Sequence, residues 1–195
     1  MKIFYMNQGG GGQWGAIGYS EYEVLCLAEW SGGAKGGFSE VYLSQEKPSM
    51  SVQIQDGSRS RTVTAIKDID HSLEAVRPLL LFQLVGGVHV VFFHLKSGSE
   101  TLASKELEQA AKGVASVMDT RHPILWVGDY NRAVDDGIVR QFGGFTTVYK
   151  GGGYSEWYLD RVGISGNWGK LGVTVERVTT SALDHGHVGL RIVIE

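Results

Sequence analysis

The chain has 195 residues, 43% of them hydrophobic and 20% charged, which suits a single globular domain spanning 1–195 with one well-buried core. Its net charge of −3 provides no basic footprint, so tight sequence-independent binding of a polyanion by charge alone is not expected, whereas a phosphate-handling protein that carries its own divalent cation is not excluded. The apolar runs at 79–84 and 88–95 are interrupted by Gln and Gly and fall short of the roughly 18 apolar residues of a membrane span. One cysteine, Cys26, precludes an intrachain disulfide and sits in an apolar run as a core residue. Met1 leads directly into a strand without a signal-peptide core, so the expectation is a cytoplasmic protein or an exported one whose leader is absent.

In chain order, residues 2–6 read as a short strand stopping at Asn7-Gln8, followed by the glycines 9–12, which lack the Gly-Lys-Ser/Thr of a phosphate-binding Walker loop. Residues 23–28 form the next strand and end at Glu29-Trp30, and the link at 13–22 has room for about two helical turns. Residues 40–44 and 51–55 alternate as an antiparallel pair would, Asp56-Gly57-Ser58 is a hairpin-like turn, and 61–66 is a further strand. Arg77-Pro78 opens the strand 79–84, which Gly86-Gly87 joins to 88–93 as a hairpin in the middle of a sheet. The helix is 100–118, where Leu107, Ala110, Ala111, Val114, Val117 and Met118 share one face. Residues 124–129 are a continuous apolar run rich in β-formers, hence a buried strand, ending in Gly128-Asp129-Tyr130-Asn131 with the glycine letting the backbone turn. A short helix at 135–142 and strands at 145–149, 158–164, 173–178 and 188–194 complete the chain. Many strands in hairpins with one or two interior helices argue for two packed sheets with helices outside.

Chemistry-bearing residues gather at strand ends. Asn7, Glu29, His94, Asp129 and Asn131 close strands, Asp160 interrupts one, and Asp184-His185 precedes the last. A core strand has no packing reason to end in unpaired carboxylates and amides. Carboxylate and amide oxygens suit a hard cation such as Mg²⁺, and two histidines with carboxylate partners suit general acid–base work. No Cys/His grouping supports a structural zinc, and a Gly-x-Ser-x-Gly nucleophile elbow is absent. His71, His89, His122 and His187 stand outside any such pattern and read as structural.

At these residues the sequence resembles the endonuclease/exonuclease/phosphatase superfamily, the DNase I-like group, and within it the cytolethal distending toxin B subunits. Gly128-Asp129-Tyr130-Asn131-Arg132 is similar to the toxin subunit's Gly-Asp-Phe-Asn-Arg, and Arg77-Pro78-Leu79-Leu80 with Phe92-Phe93 to the segments before its histidine. Tyr158-Leu159-Asp160-Arg161-Val162 is similar to Tyr-Asp-Arg-Ile-Val, Leu183-Asp184-His185-Gly186-His187-Val188 stands where the family has Ser-Asp-His-x-Pro-Val, and Glu40-Val41-Tyr42-Leu43 resembles Glu-Gln-Tyr-Leu. The matches run in order along the whole chain. Leu183 and His187 depart from the family pattern, and little chain is left over for DNA-gripping loops.

The resemblance implies a four-layered α/β sandwich, two packed, mostly antiparallel sheets flanked by helices. It implies Mg²⁺ (or Mn²⁺ or Ca²⁺) held by Glu29 with Asn7 and Asp184, and Asp129 and Asn131 completing the metal and phosphate site. His94 would be the acid, oriented by Glu40, and His185 the base, oriented by Asp160. Arg77 and Arg132 would grip phosphate; Lys96 is a lesser candidate for a phosphate contact on its position next to His94 alone, not on the resemblance. The expected activity is a metal-dependent phosphodiesterase acting on DNA, a DNase of the toxin-subunit type with toxin delivery subunits as partners. The alternative is a phosphatase on phosphoinositides or another small phosphorylated substrate. A catalytically silent binding module is the third reading, against which the intact set of site residues speaks.

Overall fold

The computed structural model describes residues 1–9, 18–30, 32–43, 50–56, 63–68, 79–151, 159–178 and 189–195. In chain order the elements are β1 (Lys2–Asn7), β2 (Val24–Ala28), β3 (Phe38–Leu43), β4 (Met50–Gln55), β5 (Val63–Asp68), β6 (Leu79–Leu84), β7 (His89–His94), α1 (Glu100–Val117), β8 (Ile124–Asp129), α2 (Asp136–Phe142), β9 (Thr146–Gly151), β10 (Asp160–Ser165), β11 (Val173–Val178) and β12 (Gly189–Ile194). Between β1 and β2 a 3-10 turn occupies Tyr19–Glu21.

These strands make two sheets, ordered β11-β12-β1-β2-β4-β3 and β5-β6-β7-β8-β10-β9. Both are mixed. Most pairs are antiparallel, including the expected β3/β4 and β6/β7 hairpins, but β1 runs parallel to β2 and β7 parallel to β8. The two parallel pairs sit at the centres of their sheets, so the C-terminal ends of four central strands point the same way within each pair. The result is an α/β sandwich.

Strand periodicity explains how the layers close. Side chains alternate between the two faces of a strand. Ile3 and Tyr5 on β1, Val24 and Cys26 on β2, Val90 and Phe92 on β7, and Leu125 and Val127 on β8 meet in the core between the sheets. The other faces of β6, β7 and β8 present Leu79, Leu81, Val91, Phe93, Ile124 and Trp126 to the helices. Helix α1 begins at Ser99, whose hydroxyl accepts from Leu102 N at 3.3 Å. It buries Ala103, Leu107, Ala110, Ala111 and Val114 against that face, each large side chain contributing about 1.5–3 kcal/mol of burial. Helix α2 ends at Gly143 in the left-handed conformation, φ 69°.

Both helices therefore cover the same sheet. Among the described residues the outer face of the other sheet is covered by an aromatic cluster instead: Phe4, Tyr22, Trp30 and Phe38, with Tyr19 packed against them. Among the described residues no helix is long and apolar enough to cross a membrane.

Candidate active site

The face alternation that builds the inter-sheet core also places the site. Asn7 continues the inward series Ile3, Tyr5; His94 continues Val90, Phe92; Asp129 continues Leu125, Val127; and Asp160 begins the series that runs on to Val162. Register then brings them together. His94 is the ladder partner of Asp129 across β7/β8, and Asp129 is the partner of Asp160 across β8/β10. From the opposite sheet, Asn7 pairs with Ala28, the residue before Glu29. Buried polar groups thus cap one end of the sandwich core: Asn7, His94, Asp129, Asn131 and Asp160 are all buried.

Asp129 is the centre of the arrangement. Its Oδ2 accepts from the Asn7 side-chain amide at 3.0 Å and lies 3.5 Å from His94 Nε2. Its Oδ1 accepts from the backbone N–H of Asn131 at 2.8 Å. Glu29 approaches from β2, its Oε1 3.6 Å from the same His94 Nε2 and its side chain 28% exposed. Asn7 is held in turn because its Oδ1 accepts from Gly9 N at 3.0 Å. Asn131 donates through Nδ2 to Leu95 O at 2.5 Å, tying the turn after β8 to the turn after His94.

Backbone conformation marks the same place. Glu29, Asn131 and Arg132 have φ of 52°, 42° and 70°, and they are the non-glycine residues with positive φ among those described. Left-handed backbone costs an L-residue about 1–2 kcal/mol, and such outliers concentrate at functional sites. The turn after β8 is therefore made by Asn131 and Arg132. Gly128 does not make it. A Cβ at Gly128 would run into the Phe93 carbonyl oxygen, so glycine is there to admit the neighbouring strand, a correction to its expected role as the turn residue.

Three residues that sequence reasoning overlooked support the site. Tyr5, fully buried in β1, donates its hydroxyl to Asp160 Oδ1 at 2.7 Å across the sheet interface. Burial, then the Asp160 and Asp129 carboxylates, hold its phenol well above the usual tyrosine range, so it remains a donor. Glu106, buried on α1, accepts from Lys96 N at 2.6 Å and steadies the turn that follows His94. Arg161 donates to Ala133 O at 3.0 Å, stacks over the Tyr130 ring at 5.1 Å and lies 3.5 Å from Asp135. It braces the turn bearing Asn131 and Arg132. Burial raises the Asp135 carboxyl above its ordinary value, partly offset by Arg161. A tyrosine in step with Asn7, or an acid on the apolar face of α1, is the available sequence signal for the first two.

Glu40 lies elsewhere in its hydrogen bonding. Expected beside His94, its carboxylate accepts from Ser51 Oγ at 2.6 Å, and the carboxylates flanking His94 Nε2 are Glu29 and Asp129. Arg132 follows Asn131 in the turn and is half-buried, and Lys96 is exposed beside His94. Arg77, Asp184 and His185 lie outside the described residues. Of the remaining histidines, His89 faces His122 with ring centroids 5.4 Å apart at the far end of β7, while His71 and His187 are outside the described residues.

Among the described residues no group of three or more His, Cys, Asp and Glu side chains is arranged to hold a metal ion on its own. The donor chemistry nevertheless fits a hard cation in kind. The Glu29 and Asp129 carboxylates converge within 3.6 Å of one imidazole nitrogen, and Mg²⁺ takes few protein ligands and keeps several waters.

No family model matches the chain, and no curated protein does. Solved structures do match over almost its whole length. TDP2 from D. rerio complexed with a single-stranded DNA product superimposes with a TM-score of 0.64 at 15% identity, covering 100% of this chain and 98% of that one. A mannosyl-6-phosphatase from Bacteroides thetaiotaomicron gives 0.62 at 10% identity, with 99% of each chain covered. An endonuclease/exonuclease/phosphatase family protein from the same organism gives 0.62 at 11% identity, covering 100% and 97%. At these identities the likeness establishes a shared fold, the DNase I-like α/β sandwich.

Proposed function

We propose that the protein is a divalent-metal-dependent phosphoesterase, and that its reaction is hydrolysis of a phosphodiester in DNA. The observation that carries this reading is the convergence at one end of the sandwich of Asn7, Glu29, His94 and Asp129, with Asp129 bonded to Asn7 at 3.0 Å and beside His94 at 3.5 Å. Carboxylates, an amide and an imidazole gathered at buried strand ends serve no packing purpose, and they are the groups that hydrolysis of a phosphoester uses.

In this reading Glu29 holds the cation with Asp184, while Asn7 and Asp129 complete its surroundings. A bound Mg²⁺ supplies positive charge to the phosphate oxygens as negative charge develops. His185, oriented by Asp160, takes the proton of the attacking water as its oxygen bonds to phosphorus. His94 gives a proton to the leaving oxygen as the phosphorus–oxygen bond breaks. Asn131 offers an amide near the phosphate. Arg77 and Arg132 bind its oxygens through the planar guanidinium fork.

DNA is favoured by the motif resemblance around Gly128-Asp129-Tyr130-Asn131-Arg132 and by the structural neighbour that holds a single-stranded DNA product. The narrower assignment, a toxin-type DNase with delivery subunits, rests on the motifs alone. A second reading, a phosphatase on a phosphoinositide or another small phosphorylated group, is favoured by the mannosyl-6-phosphatase neighbour of the same fold. Incubating the protein with supercoiled plasmid and with phosphoinositide vesicles, each with Mg²⁺ or EDTA, separates them. Plasmid nicking that EDTA abolishes is expected. Phosphate release from the lipid with intact plasmid selects the second reading, and inertness toward both overturns the proposal.

A further inference from the structure

Beneath the site, in the core itself, one side chain reaches from one sheet to the other. The Tyr5 hydroxyl donates to Asp160 Oδ1 at 2.7 Å, and both residues are 0% exposed. The ring is fixed by Phe92 of β7, edge-on with centroids 6.1 Å apart. For packing alone, phenylalanine at position 5 would complete the inward face begun by Ile3. Tyrosine brings a hydroxyl that must find a partner when buried, and its partner is a carboxylate at the start of β10, opposite Asp129 in the ladder. A donor held against one oxygen of an enclosed carboxylate helps fix how the group is turned, and the Tyr5 hydroxyl is held against Oδ1.

We infer that Tyr5 is a positioning residue of the reaction proposed above: its hydroxyl turns the Asp160 carboxylate so that Oδ2 is presented to the general base that Asp160 orients. This rests on the phosphoesterase reading and adds to it a residue from the sheet opposite the one that carries Asp160. The effect is one of geometry. The hydroxyl is bonded to Oδ1, and it is carried by a ring on β1 that Phe92 of β7 packs edge-on. Tyr5 touches neither substrate nor cation and acts through Asp160 alone.

The test is a double-variant cycle of Tyr5→Phe and Asp160→Asn, with initial rates on bis(p-nitrophenyl) phosphate and Mg²⁺. Each rate is read well below that variant's melting midpoint, so that lost stability is not counted as lost turnover. Tyr5→Phe keeps the ring, and it should lower kcat about tenfold, as expected for a hydrogen bond to a charged group, with KM unchanged. In the Asp160→Asn background the same change should cost less than about twofold, because residues acting as a unit are not additive. Full kcat in Tyr5→Phe, or equal multiplicative losses in the double variant, overturns the inference and leaves the phosphoesterase reading standing. A wild-type protein with no turnover removes the reading, and the assignment of Tyr5 falls with it.

Discussion

Asn7 and Asp129 end strands of opposite sheets and are joined side chain to side chain, the Asn7 amide donating to Asp129 Oδ2 at 3.0 Å. The bond closes the mouth of the inter-sheet core and gives a buried carboxylate one of its donors. Another comes from Asn131 N at 2.8 Å. Asn7→Leu keeps roughly the side-chain volume and removes the donor. Leaving the buried Asp129 oxygen short of a partner should cost about 1–3 kcal/mol of stability, read by urea unfolding, and activity should fall with it. Unchanged stability would mean that Asp129 is satisfied without Asn7.

Glu29 sits at φ 52° with its carboxylate 3.6 Å from His94 Nε2. Glycine adopts that backbone freely, so Glu29→Gly should raise stability by about 0.5–1 kcal/mol while abolishing turnover. Glu29→Gln, which retains shape but removes charge, should leave the melting midpoint in place and raise the Mg²⁺ requirement. Wild-type rates at ordinary Mg²⁺ in Glu29→Gln would make the residue structural.

Gly128 is the partner of Phe93 across β7/β8, and a Cβ there meets the Phe93 carbonyl. Since that obstacle is backbone, Gly128→Ala must push two central strands apart next to Asp129. We expect a loss of about 3 kcal/mol, a fall of roughly 6–12 °C in the melting midpoint for a chain of this size. A change of under 2 °C would show the strands able to give way.

His89 provides a pH test away from the site. Burial, then the neighbouring His122, lowers its pKa from the ordinary 6.5. A histidine with a depressed folded-state pKa binds fewer protons folded than unfolded, so stability is held above about pH 6.5 and lost as pH falls through the folded value. The melting midpoint of the wild type should therefore drop more between pH 7 and pH 5 than that of His89→Gln. Equal drops would contradict this.

How much of this was legible in the sequence depends on the residue. Asn7, His94 and Asp129 were legible because an alternating apolar strand that ends in a polar residue on its inward face points that residue at the end of the core. The α/β sandwich followed from hairpins and the one strongly amphipathic helix. Which sheet the helices cover was not, since periodicity specifies a face of the helix and not its partner; both α1 and α2 lie on the sheet that contains β8. Tyr5 and Glu106 are not legible, since a tyrosine in an apolar run resembles any core aromatic, and a glutamate in a charged helix resembles a surface acid. At Gly128 the letter alone does not separate a glycine needed for close approach, as here, from one needed for a turn.

The central claim is that Asp129 and its neighbours hydrolyse phosphoesters with a divalent cation. The most direct measurement is p-nitrophenol release from bis(p-nitrophenyl) phosphate by the wild type and by Asp129→Asn, each with Mg²⁺ or with EDTA. Asp129→Asn removes the charge beside His94 and keeps the side-chain shape. Release by the wild type with Mg²⁺, its loss in EDTA, and a fall of at least about a hundredfold in Asp129→Asn, in the range for removing one preorganised electrostatic group, are the predicted results. Release that persists in EDTA, or that Asp129→Asn leaves unchanged, would contradict the account.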